Sequence, residues 1–146
     1  MGRVKLKFPD ENPLFTTAIP IRVGDLNYGN HVGNDSILSI IHEARMQFLH
    51  RNGHIETDIA GIGLIMADVM IAYRGESFYG DVLTVRLYAD ELTAHSFDLL
   101  YHLSATRDNK QLDIAHAKTG MVCFDYKDRK ITAMTEVLKN LLEKNK

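Results

Sequence analysis

At 146 residues, with 45% hydrophobic and 25% charged side chains, the chain has the composition of one globular domain spanning residues 1–146, long enough to bury a core. A formal net charge of −2 gives no electrostatic draw toward nucleic acid or a membrane surface. The single cysteine, Cys123, excludes an intrachain disulfide and a cysteine-rich zinc site.

The start of the chain, residues 1–13, carries basic residues but no apolar run of the signal-peptide kind. Although it begins Met-Gly, Leu6 stands where a myristoylation signal needs Ser or Thr. No apolar stretch approaches bilayer-spanning length, so a cytoplasmic location is expected by exclusion. Residues 14 to 23 read as a first strand, with Pro20 pointing to an edge position or a bulge. From Gly24 to Asn34 there are three glycines and three asparagines in eleven residues. Both residue types tolerate left-handed backbone, so a tight, structured loop is expected.

The next segment is the best helix. Ile37, Ile40, Ile41, Ala44 and Phe48 recur at helical spacing, while Ser36, Ser39, Glu43, Gln47 and His50 share another face. Asn34 or Asp35 is expected to cap its start, and Asn52-Gly53 to end it. Strands follow over residues 64–74, 82–92, 96–106 and 111–126; Phe97, Leu99, Tyr101, Leu103 and Ala105 alternate in the third of these. Residues 107–110 and 127–129 are polar turns. Cys123 falls within a strand and is expected to be buried and inert. Thr132 or Thr135 caps a short last helix carrying Val137, Leu138, Leu141 and Leu142. The class is therefore α+β: an antiparallel sheet of about five strands, a long helix after the first strand and a short C-terminal helix.

The stretch from Ile19 through Gly53 resembles the 4-hydroxybenzoyl-CoA thioesterase-like branch of the hotdog superfamily. That branch has a strand, a D-x-D-x-x-G-H-V-N-N-like loop and a helix with an E-x-A-R-like stretch. The matching residues are Asp25, Asn27, Asn30, His31, Val32, Gly33 and Asn34, then Glu43-Ala44-Arg45. Residues 69–73, 80–83 and 97–125 are similar to its later strands. The resemblance implies a sheet wrapped around the long helix, a homodimer or homotetramer with sites at subunit interfaces, an acyl-CoA small molecule as substrate, and no cofactor beyond the CoA moiety of that substrate. It also marks a departure: Asn27 stands where the branch usually carries its catalytic Asp.

Thioester hydrolysis needs an activated water or nucleophile and a stabilised oxyanion. A helix beginning near Gly33 to Asp35 offers unpaired N–H groups and a positive dipole end, and Gly33 leaves room for a ligand. Asn27, an amide, can orient water but cannot take its proton. The base is then sought among Asp35, Glu43, His31 and Asp25, each with a plainer role: Asp35 as helix cap, Glu43 in solvent or near Arg45, His31 as loop support, Asp25 as acceptor of loop N–H groups. Some other hotdog thioesterases place their carboxylate on the central helix, which Asn27 with Asp35 or Glu43 reproduces. Asn27, Asp35, Glu43 and His31 are thus the expected catalytic residues, and Tyr28, Gly33, Asn34 and Asp25 the expected substrate contacts. Arg74, Arg107, Lys110, Lys127, Arg129 and Lys130 are the cations available to CoA phosphates or simply to solvent.

The other histidines (His42, His50, His54, His95, His102, His116) show no H-x-x-x-H or H-E-x-x-H spacing, so no metal site is expected. Two rival activities remain. The Asp25…His31 pair invites comparison with hotdog enoyl-CoA hydratases, whose Asp and His are five apart rather than six. A non-catalytic acyl-thioester or lipid-binding hotdog, with turnover lost on replacing Asp by Asn, is the other.

Overall fold

The computed structural model describes residues 3–144; the Met1-Gly2 start lies outside them. Strand β1 (Phe15–Pro20) leads through a 3-10 turn (Val23–Asp25) to helix α1 (Asn34–Arg51). Strands β2 (Gly63–Tyr73), β3 (Val82–Asp90), β4 (Ser96–Arg107), β5 (Lys110–Asp125) and β6 (Lys130–Ile131) follow, then helix α2 (Glu136–Leu142). All pairings are antiparallel, in the order β1-β3-β4-β5-β2, with β6 on β5. A long helix held by a wrapping antiparallel sheet is the hotdog fold.

Local chemistry explains the boundaries. Pro20 ends β1, which among the described residues pairs with β3 alone and is thus an edge strand, where a missing N–H costs little. The β4–β5 turn closes on Asp108 and Asn109, both at positive φ (52° and 63°), the backbone that a two-residue hairpin turn requires. Helix α1 stops where Asn52 returns its side chain to the Phe48 carbonyl and Gly53 adopts φ 82°. At α2, Thr135 is the cap, accepting from the Leu138 N–H. The expected count of about five strands falls one short of the six observed: two-residue β6 is too brief to leave a periodic signal, and it forms because Phe124 and Asp125 offer an edge beside the Lys127–Arg129 turn.

The α1 stripe (Ile37, Ile40, Ile41, Ala44, Phe48) lies in one core with Leu83, Val85, Leu87, Leu99, Tyr101, Leu103, Ala115 and Ala117. Each fully buried large aliphatic or aromatic side chain there contributes about 1.5–3 kcal/mol, so this face fixes the helix against the sheet. Cys123 is fully buried, and burial pushes its thiol pKa up. Arg45 is also buried, where its charge would cost several kcal/mol if unpaired. Instead its Nε donates to Glu56 (2.7 Å) and its Nη1 to the Tyr101 hydroxyl (3.1 Å), which meets Thr119 Oγ1 at 2.7 Å. Desolvation pulls the Arg45 pKa down, but Tyr101 and Glu56 outweigh it and hold the guanidinium charged. On the opposite sheet face, Phe8 of the N-terminal segment packs on Tyr88, His102 and His116. No helix among the described residues is long and apolar enough to cross a membrane.

Candidate active site at the start of helix α1

The loop between β1 and α1 is tied at every step. Asp25 is buried, and its Oδ2 accepts the Arg22 N–H at 2.8 Å while its carbonyl accepts the Gly33 N–H at 3.0 Å. Asn27 organises the tip: its N–H donates to the His31 carbonyl, its carbonyl accepts from Asn30, and its Oδ1 accepts from Gly29 at 2.9 Å. Asn30, at φ 64°, takes the left-handed corner, a conformation Asn tolerates through its short polar side chain. Val32 N–H then donates to the Ser77 carbonyl, and His31 bridges to Phe78.

Segment 76–81 is itself clasped by a residue that sequence reasoning passed over. Asp81 accepts from Ser77 Oγ and the Phe78 N–H (each 2.9 Å) and from Arg107 Nε (3.2 Å). Its burial pushes the carboxyl pKa up, but these donors together hold it below the ordinary Asp value. Arg107 also caps the Phe78 ring at 5.1 Å, so this cation belongs to the clasp. The only hint in sequence is an Asp directly after the Gly80 turn, a common surface pattern.

Helix α1 starts differently from expectation. Gly33, not Asn34 or Asp35, is the N-cap residue, and it brings no side-chain cap. The N–H groups of Gly33 and Ser36 are spent on Asp25 and on Gly33 itself. Those of Asn34 and Asp35, both exposed residues, have no partner among the described residues and lie at the positive end of the helix dipole. A Cβ on Gly33 would sit 2.7 Å from Asp35 Oδ1 and 3.5 Å from Asn27 Cβ, so both side chains border Gly33. The Asn34 carbonyl accepts the Tyr73 hydroxyl at 3.1 Å, which ties the helix start to the end of β2.

Two cavities flank this start. One, about 400 Å³, lies between β1 and α1, bordered by Arg22, Asp25, Ser39, Glu43 and Gln47. Glu43 is exposed there and accepts from Gln47 Nε2 at 2.7 Å. The other, about 290 Å³, is bordered by His31, Asn34, Tyr73, Glu76 and Ser77. The His31 Nδ1 sits 3.2 Å from the Val32 carbonyl, which can only accept, so neutral His31 keeps its Nε2 lone pair free. The structure therefore brings Asn27, Gly33, Asn34 and Asp35 together, with His31 close by in the loop. It sets Glu43 apart, about 12 Å along the helix from Asp35. Asp25 borders the first cavity and His31 the second, and the two side chains bond different backbone groups. Tyr28 is fully exposed at the loop tip.

Several solved structures share this fold. They include Slr0204, a 1,4-dihydroxy-2-naphthoyl-CoA thioesterase from Synechocystis, at 23% identity and TM-score 0.76 over 88% of this chain and 94% of that one. The BH1999 gentisyl-coenzyme A thioesterase matches at 16% identity and TM-score 0.74, over 88% and 99%. The PA5185 protein from Pseudomonas aeruginosa matches at 16% and 0.77, over 92% and 93%. No match was found among curated protein sequences. A family model described as the thioesterase-like superfamily matches residues 21–142, from just after β1 through the last helix. The chain belongs to the thioesterase-like superfamily.

Proposed function

We propose that the chain hydrolyses acyl-CoA thioesters, with the reacting carbonyl at the start of α1. The observation that carries this reading is the uncapped helix start: the N–H groups of Asn34 and Asp35, without partners among the described residues, beside a side-chain-free Gly33. An oxyanion accepting both gains about 3–4 kcal/mol per donor as the tetrahedral intermediate forms. Asp35, which borders Gly33 as Asn27 does and whose carboxylate is without a partner among the described residues, takes the proton of the attacking water. Asn27 spends Oδ1 on Gly29, leaving Nδ2 to orient that water. The thioester sulfur departs as a thiolate and is reprotonated by solvent or the protonated base.

A second reading makes Glu43 the base, because it borders the larger of the two cavities and its carboxylate reaches solvent. The physical support for a subunit-interface site is the edge strand β2. It has eleven residues and pairs with β5 alone, and Met66, Val69, Met70 and Tyr73 are exposed along it. An edge of this length invites pairing with a second copy, and Tyr73 puts that seam against the α1 start. The proposed assembly is thus a homodimer or homotetramer in the cytoplasm, with a small-molecule acyl-CoA as partner and no nucleic acid or membrane. Steady-state thiol release over a panel of aliphatic and aromatic acyl-CoAs tests the reading. Turnover above background supports it. Binding without turnover on every substrate turns it into an acyl-thioester carrier, and hydration of crotonyl-CoA into a hydratase.

A further inference from the structure

Three side chains meet on the outer face of the sheet, opposite α1, although nothing in their sequence spacing groups them. His102 on β4 and His116 on β5 are direct cross-strand partners. Residues 113 and 116 would lie on opposite faces of a regular strand, since side chains alternate. A bulge removes that obstacle: Leu103 pairs with Ala115 but Ser104 with Asp113, so Ile114 is the extra residue and Asp113 turns to the His116 face. Asp113 Oδ1 lies 2.7 Å from His102 Nε2, and its Oδ2 lies 3.3 Å from His116 Nε2. One ligand atom from each of the three falls within 4.8 Å of the others. His116 Nδ1 is buried with no partner among the described residues, so the polar capacity of that ring is directed through Nε2 into the cluster. Phe8 lies against both imidazoles, at 5.2 Å from His116 and 5.4 Å from His102, and covers one side.

We propose that His102 Nε2, His116 Nε2 and an Asp113 carboxylate oxygen form a binding site for a divalent transition metal ion of the zinc class. Two imidazole nitrogens and one carboxylate oxygen suit Zn²⁺, Co²⁺ or Ni²⁺ over Mg²⁺ or Ca²⁺, which prefer all-oxygen ligation. Zinc–nitrogen bonds of about 2.0–2.1 Å put tetrahedral ligand atoms about 3.3 Å apart, so the side-chain tips close by at most about 1.5 Å. Three protein ligands leave a fourth position for water, which enters from the exposed Asp113 side. The ion would staple the β4–β5 bulge beneath Phe8. It lies on the sheet face away from α1, so this inference is independent of the hydrolysis reading.

The test uses tag-free full-length protein, stripped by chelator dialysis and titrated with Zn²⁺ by calorimetry and with Co²⁺ by visible absorption. The expected result is a single ion per chain, an intense Co²⁺ absorption of low coordination number, and a Tm that rises with Zn²⁺. His102→Ala with His116→Ala should abolish all three, and Asp113→Asn should weaken binding at least about tenfold. His50→Ala with His95→Ala, on exposed histidines elsewhere, should change nothing. If the double alanine variant fails to fold, His102→Gln alone carries the comparison. Zn²⁺ affinity equal in wild type, Asp113→Asn and His102→Gln, or no site above weak surface binding, would overturn the proposal and leave a His–Asp–His hydrogen-bonded cluster.

Discussion

At the first turn of α1, Asn34 and Asp35 keep their N–H groups, and Asp35 its carboxylate, without partners among the described residues, and the cap residue is a glycine. About three turns further on, Arg45 spends its donors on Glu56 and Tyr101, and Tyr101 continues to Thr119. Both regions lie on the same helix, yet the exposed one leaves its hydrogen-bonding capacity open and the buried one closes it. Closed networks hold a fold together, because a buried charge without its partner costs several kcal/mol. Open donors at a helix start do little for stability and are available to a ligand. The E-A-R stretch thus divides its work: Arg45 anchors the helix to the sheet, while Glu43 faces the cavity.

The sharpest way to break this contrast is at the closed end. Arg45→Ala should destabilise the chain by about 3–5 kcal/mol, since Glu56 and Tyr101 lose their shared donor. Urea unfolding measures it, and a change below about 1 kcal/mol would show that the network is ornamental. At the open end the expected effects move from stability to rate. Asp35→Asn should lower kcat at least about tenfold, with stability shifted by no more than about 0.5 kcal/mol. Gly33→Ala tests the same point sterically. Its φ of −70° suits alanine, so the backbone is unstrained, but the new Cβ displaces Asp35 and closes the approach to the helix N–H groups. We expect a loss in kcat without a matching loss in Tm. Asn27→Asp should raise the rate if a second carboxylate beside Asp35 can share the base role, and kinetics on the variant decide it.

The smallest effect is the pH dependence of the Asp81 clasp. Its folded pKa lies below the ordinary Asp value of 3.8, so the folded state binds fewer protons than the unfolded state. The clasp therefore contributes stability above pH 3.8 that is lost as pH falls through the folded-state pKa. Urea midpoints measured down the acid range should fall less steeply in Asp81→Asn than in wild type.

Much of this architecture is legible from residue order because it is written in local periods. The 3.6-residue stripe from Ile37 to Phe48 and the alternation from Phe97 to Ala105 each report one buried face, and both faces are buried as read. The Gly24–Asn34 turn chemistry likewise marks the loop that leads into the proposed site. The helix cap lies one or two residues before the expected Asn34 or Asp35, because Asn and Asp usually supply a side-chain oxygen there, whereas this start uses a backbone contact from Gly33 to Asp25 instead. What no local pattern carries is contact across strands. The Ile114 bulge joins Asp113 to His102 and His116, Arg45 reaches Tyr101 and Thr119, and Arg107 reaches Asp81; each depends on register that only the assembled sheet defines.

The most direct test of the open helix start as the hydrolytic site is kcat for wild type, Asp35→Asn and Glu43→Gln on the best acyl-CoA, with Tm measured in parallel. The account predicts a drop of at least about tenfold for Asp35→Asn at unchanged Tm, and a smaller one for Glu43→Gln. A larger loss in Glu43→Gln would move the base to the cavity between β1 and α1, and full kcat in both variants would contradict a helix carboxylate as the base.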